Sequence, residues 1–167
     1  MGGPATEGLA SFGQRVGGAF IDGFIVWIIM GAGFIIAAAT VPESSFENPS
    51  PGPSGFGNLM QTIAWLASAA YYVIQEGRPE GATVGKKAMG IRVVRKANGA
   101  PLGFGLAIGR YLARFLDIIT FGLGLLWAAW DPLHQTFHDK AAGTLVVRSS
   151  VYPPPPKPGS APPGFSA

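Results

Sequence analysis

Apolar residues in this chain fall into two clean runs and one broken one, and charges gather between them. The first run, Gly23 to Val41, carries no charge, and Phe24, Ile25, Val26, Trp27, Ile28, Ile29, Met30, Phe34, Ile35 and Ile36 supply its bulk. About nineteen such residues suffice for a helix to cross a hydrocarbon core of ~30 Å. Gly57 to Gln75 is the second charge-free run, with Tyr71 and Tyr72 placed where a span meets the interface. The pattern predicts helices over about 16–41 and 57–75. The third segment, 104–130, is interrupted by Arg110, Arg114 and Asp117, and only Ile118 to Trp130 is free of charge. That length is too short to span comfortably. Two readings stand: a tilted third transmembrane helix, or a re-entrant hairpin that turns near Thr120 to Gly124.

Between these runs the polar residues are sorted by sign. Residues 42–57 are rich in Pro, Ser and Gly, with two glutamates and no Lys or Arg. Residues 76–103 hold Arg78, Lys86, Lys87, Arg92, Arg95 and Lys96 against Glu76 and Glu80. By the positive-inside rule the basic segment is cytoplasmic, and the loop over 42–56 is extracytoplasmic. Within the basic segment Thr83 is a cap for a short helix ending at Gly90, and Asn98-Gly99 marks a turn. Ile91–Arg95 and Thr144–Arg148 both read as short strands of Val-Val-Arg composition. Their pairing would put both ends of the third segment on one side of the membrane, which favours the hairpin and leaves both termini cytoplasmic.

Composition adds less. With 167 residues the chain makes one compact membrane module. The absence of cysteine excludes disulfides, thiolate metal sites and a cysteine nucleophile. A net charge of +3, concentrated beside the apolar runs, suits a membrane surface rather than nucleic acid. Residues 1–14 read as a flexible arm and 149–167 as a disordered Pro-rich tail. A cleaved signal peptide over 1–39 is disfavoured by Asp22 inside the apolar stretch.

The candidate chemistry is a set of charges inside these helices. Arg15 and Asp22 lie seven residues apart, a rise of roughly 10 Å on one helix face. Arg110, Arg114 and Asp117 share another face. Residues of this kind inside a bundle mark either an ion pathway or a mutually neutralising lock. For Asp22 the expected partners are Arg15, Arg114 and Arg110, in that order. His134 and His138 are four apart, the spacing of weak metal-ligand candidates, but Pro132 is close and no third ligand is evident. Lys86 and Lys87 are expected to contact anionic headgroups, at ~1 kcal/mol each. Gly81 to Lys87 falls one residue short of a phosphate loop and lacks its Ser or Thr. The GxxxG spacings Gly13/Gly17 and Gly105/Gly109 permit close helix contact. No G-x-S-x-G pattern is present.

Four stretches together resemble the RDD family of membrane proteins. They are Arg15 with Ile21-Asp22, the run Gly85 to Val94, Arg110 with Arg114-Phe115-Leu116-Asp117, and Thr136 to Val147. The resemblance covers roughly residues 10–148 and implies a membrane-embedded fold of unknown or suspected transport function. It implies that the Arg and two Asp of the family name fall on Arg15, Asp22 and Asp139. The full polar set is then Arg15, Asp22, Arg110, Arg114, Asp117 and Asp139.

The resulting expectation is an all-α integral membrane protein with two transmembrane helices, a kinked or re-entrant third segment and a two-strand cytoplasmic element. It is expected in the plasma (inner) membrane, with no enzymatic activity and no cofactor. Its partners are the lipid bilayer and either another membrane protein or its own copies, and not nucleic acid. The function expected is that of an accessory or scaffold subunit held together by the buried cluster. The alternative is a small oligomeric transporter of cations or protons using the same residues.

Overall fold

The computed structural model describes residues 8–41 and 55–155. The first helix, α1, spans Phe12–Ala38 and opens on a capping box between Ser11 and Gln14. Helix α2 spans Gly55–Gly77 and lies antiparallel to α1, with Gly33 against Ala64 at one end and Asp22 against Tyr71 at the other. A Cβ on Gly33 would lie 2.6 Å from that of Ala64, so small residues let the two backbones approach. After α2 come the short helix α3 (Val84–Ala88), capped by Thr83, and strand β1 (Ile91–Arg95).

Helix α4 (Gly103–Ile119) packs on α2, and then the chain turns sharply. Phe121 and Gly122 both have positive φ, 52° and 83°, and the following pieces, α5 (Leu123–Leu126) and a 3-10 turn (Trp127–Ala129), leave at 106° to α4. The kink expected in the third segment is therefore present, at the position of Thr120 to Gly124. Helix α6 (Phe137–Ala142) and strand β2 (Thr144–Arg148) complete the fold. Strands β1 and β2 pair antiparallel with Val93 opposite Val146, so the chain leaving α4 returns to the sheet it left.

The sheet is the platform on which the helix ends converge. Leu9 bridges Val147, and the Ala10 N–H donates to the Val146 carbonyl at 3.0 Å. Ala10, Ile91, Val93, Leu102 and Val146 form one small buried apolar cluster, and Leu9, Val94, Leu145 and Val147 form another. This corrects the expected arm over 1–14: residues 9–14 are structured, because an apolar Leu-Ala pair covers a sheet too narrow to shield itself. Residues 1–7 and the loop over 42–54 lie outside the described residues. The expected disordered tail over 149–167 is corrected for its first residues, 149–155. The Ser149 N–H donates to Gly90, and Arg92 Nη1 donates to the Pro153 carbonyl at 2.8 Å, while 156–167 lie outside the described residues.

Away from the sheet the usual arrangement is inverted. Phe20, Trp27, Phe34, Ile35 and Leu66 are all more than 60% exposed, and Phe121 is 98% exposed. The interior between the helices instead holds Asp22, Glu76, Arg110 and Asp139, each at most 2% exposed. Apolar area of this extent facing outward is what a lipid solvent selects. By length and composition α1 qualifies to cross a membrane, and α4 with residues 123–129 qualifies as a second span if the bent pair is counted as one.

Candidate functional site

Arg110 is the hub of the buried cluster. It projects from the middle of α4, and its guanidinium reaches three elements at once. Nη1 donates to Glu76 at the end of α2, and Nη2 donates to Asp139 Oδ1 of α6 at 2.5 Å. Nε is shared between Asp139 Oδ1 at 3.1 Å and Thr144 Oγ1 at 3.2 Å. A planar fork of five donors suits this bridging role in a way that a single ammonium does not.

Asp139 takes its place from local sequence. Thr136 and Asp139 form the capping box of α6, with Thr136 Oγ1 donating to Asp139 Oδ2 at 2.8 Å. The second partner of Asp139 is Arg15 of α1. Burial by itself would raise the Asp139 pKa, but Arg15 and Arg110 outweigh it and hold the carboxyl well below its usual range. Glu76 is shared by three cations: Arg110, Arg114 Nη2 at 3.0 Å and Lys86 Nζ at 2.9 Å. The Arg114 guanidinium also lies 3.8 Å from the centre of the Tyr72 ring.

Asp22 forms a second centre. Its carboxylate accepts from Tyr71 Oη at 2.6 Å, Thr83 Oγ1 at 2.5 Å and the Gly85 N–H at 2.8 Å, with Lys86 Nζ at 3.8 Å. The expected pairing of Asp22 with an arginine is thus corrected. Arg15 is drawn to Asp139, Arg110 and Arg114 reach Glu76, and neutral donors with one lysine surround Asp22. The expected headgroup role of Lys86 is corrected too, since its side chain is 12% exposed and its ammonium bridges Glu76 and Asp22. Lys87, next to it, is exposed.

His138 and Asp117 close the cluster on the α5 side. Asp117 Oδ2 contacts His138 Nδ1, and Arg110 Nη2 lies 3.1 Å from His138 Nε2. This arrangement is that of a neutral imidazole, donating at Nδ1 and accepting at Nε2. The i,i+4 metal reading of His134 and His138 fails geometrically, because the helix starts at Phe137. His134, with a φ of 50°, instead turns its Nδ1 to the Ala128 carbonyl at 3.0 Å. The GxxxG pairs are not helix contacts either: a Cβ on Gly13, Gly105 or Gly109 would meet nothing within 4 Å among the described residues, and one on Gly17 would meet the side chain of Met89.

Two features escaped the sequence reading. Glu76 was counted only as part of the basic segment, although a carboxylate ending a charge-free run beside an arginine-bearing helix is a readable signal. Thr83 and the Gly85 N–H as ligands of Asp22 left none, since they come from the start of α3, 61 and 63 residues away.

The sequence model of the RDD family matches residues 9–143, so it takes in α1, both charge centres and α6. The chain belongs to the RDD family. It is 33% identical to the proline-rich antigen of Mycobacterium leprae over 80% of this chain and 58% of that protein. It is 32% identical to the proline-rich antigen homolog of Mycobacterium tuberculosis (strain H37Rv) over 85% of this chain and 64% of that one. The chain thus spans under two thirds of the length of these mycobacterial relatives. It is also 31% identical to the uncharacterized protein YxaI of Bacillus subtilis, over 83% of this chain and 96% of that protein. No solved structure matches. In this RDD protein Arg15 and Asp139 are direct partners, while Asp22 serves the separate centre with Tyr71, Thr83 and Gly85.

A neutral buried histidine in this RDD cluster makes stability depend on pH. Burial pushes His138 down from 6.5 to about 4, with the charge of Arg110 adding to it and that of Asp139 opposing it. Below pH 6.5 the unfolded chain takes up a proton that the fold refuses, so stability falls as pH drops toward about 4. The loss across that window is up to about 3 kcal/mol. His138→Gln should flatten the fall in melting temperature between pH 7 and pH 5. An unchanged slope in that variant would place the dependence on another group.

Proposed function

We propose that this RDD protein is a non-enzymatic, multi-pass accessory or scaffold module of the plasma (inner) membrane, with the Arg/Asp/Glu cluster as its internal lock. The observation that carries the reading is charge matching. Arg15, Lys86, Arg110 and Arg114 face Asp22, Glu76 and Asp139, Asp117 is held by His138, and each of these carboxylates has at least one donor within hydrogen-bonding reach. The contacts tie α1, α2, α3, α4 and α6 into one unit. Such a lock suits a rigid platform better than a carrier that must exchange partners in each cycle. Reconstitution into liposomes tests this directly. The expected result is no proton, sodium or potassium flux above that of empty vesicles. A flux that Asp22→Asn abolishes without lowering the melting temperature would replace the scaffold with the transporter.

In this reading α1 and α2 both span, the sheet lies on the cytoplasmic side, and α4 with α5 is a re-entrant hairpin returning to it. The pairing of β1 with β2 supports this, as does the basic composition of residues 76–103. The chain has no native cysteine, so single introduced cysteines report cleanly. Thr40→Cys should react with an impermeant maleimide in intact cells, and Ala97→Cys should react only after permeabilisation. Labelling of position 97 in intact cells would reverse the topology.

A further inference from the structure

Helices α1 and α4 both pack on α2 but make little contact with each other, and the space between them is a cavity of about 530 Å³. That volume falls within the range of small-molecule sites. Its walls are apolar, with Val16, Phe20, Phe121, Leu125 and Leu126 among them, and Phe20 and Phe121 stand on the lipid-facing surface. Its charged lining is mostly cationic: Arg15, Lys86, Arg110 and Arg114. The carboxylate that reaches it, Asp22, is 1% exposed and already saturated by three donors. Its three other polar lining residues are engaged as well: Tyr72 lies against Arg114, Thr136 is bound to Asp139, and His138 to Asp117.

The cations have donors to spare. Arg15 is nine-tenths buried and uses Nη2 on Asp139, yet its Nη1 has no hydrogen-bond partner among the described residues. Arg114 uses Nη2 on Glu76, and its Nε has none among the described residues. Unfilled guanidinium donors inside an apolar enclosure are costly unless something accepts from them. We propose that this cavity binds an anionic phospholipid from the bilayer, with the headgroup phosphate accepting from Arg15 and Arg114 and an acyl chain lying along Phe20 and Leu125. The apolar walls and the lateral position select a membrane amphiphile over a free anion, and guanidinium forks select phosphate geometry. The inference rests on the bilayer embedding proposed above, which the cysteine labelling at positions 40 and 97 tests separately.

Native mass spectrometry of the delipidated, detergent-solubilised full chain is the test, with dioleoyl phosphatidylglycerol, dioleoyl phosphatidylcholine and inorganic phosphate as probes. One phosphatidylglycerol should be retained at about tenfold or greater preference over phosphatidylcholine, because the two share the phosphate but the choline cation of the second is repelled by the cationic lining. Ala19→Trp fills the cavity from α1 without touching an ion pair, because Ala19 lines it and is exposed. This variant should keep the wild-type melting temperature and lose the preference. Arg114→Gln should weaken it while Glu76 keeps Arg110 and Lys86. Equal retention of the two lipids would overturn the proposal, as would full retention of phosphatidylglycerol by Ala19→Trp. Displacement of the lipid by millimolar inorganic phosphate would overturn its identity as an amphiphile site.

Discussion

Arg110→Met is expected to destabilise the fold by about 3–5 kcal/mol, the cost of leaving buried charges without their partner. Arg110 is 1% exposed and bridges Glu76 and Asp139, which are 2% and 0% exposed. Its removal leaves Glu76 with Lys86 and Arg114, but leaves Asp139 with Arg15 as its one remaining cation among the described residues, since His138 is neutral. Typical domains have only about 5–15 kcal/mol in hand, so the loss should be visible as reduced monodisperse yield after mild extraction and a lower melting temperature. Arg110→Lys should fall between the two, because one ammonium cannot span both carboxylates and Thr144. Adding Asp139→Asn to Arg110→Met should recover part of the loss. The asparagine Oδ1 can still accept the Thr136 N–H of the capping box, and no desolvated anion is stranded. A wild-type melting temperature for Arg110→Met would mean that the cluster does not lock the helices.

The second large effect is expected from one added methyl group. A Cβ on Gly85 would overlap the Gly18 carbonyl oxygen and lie 2.8 Å from the Asp22 carboxylate. Both are fixed parts of α1, so Gly85→Ala must push α3 away from it. That displacement pulls the Gly85 N–H and Thr83 Oγ1 off Asp22, a residue 1% exposed. Overpacking and the unsatisfied carboxylate together are expected to cost about 2–5 kcal/mol. Gly23→Ala is the control. It adds the same methyl beside Asp22 on α1, where nothing lies within 4 Å. In a helix interior that change should be neutral or stabilising, by up to about 1 kcal/mol. Equal melting temperatures for the two variants would show that α3 does not need its close seat on α1.

Much of the fold was legible because its signals are local. The capping Thr83 and the two strands Ile91–Arg95 and Thr144–Arg148 follow from patterns within a few residues, and so does the break near Thr120 to Gly124. Helix ends were read less well. The helix expected from about residue 16 starts at Phe12, because the Ser11–Gln14 capping box is a weaker signal than the apolar run that follows. The site was legible as a list of charges but not as a set of pairs. Arg15 and Asp22 do share a helix face, yet two turns exceed the reach of a direct contact, and Asp139 lies within reach of Arg15 instead.

The sequence by itself determined that α1 is apolar enough to cross a membrane, that its polar flanks are sorted by charge, and that arginines and aspartates are placed where a bundle must bury them. These follow from composition over windows of about twenty residues, since transfer free energy is nearly additive along a helix. Only the tertiary structure decided that Glu76 is the meeting point of three cations, that Lys86 points inward rather than to headgroups, and that α1 and α4 leave a cavity between them. The reason is reach. A long charged side chain can choose among several opposite charges, and the choice depends on the rotation of each helix about its axis. That rotation is set by contacts such as Gly18 against Gly85 and Gly33 against Ala64, between residues tens of positions apart.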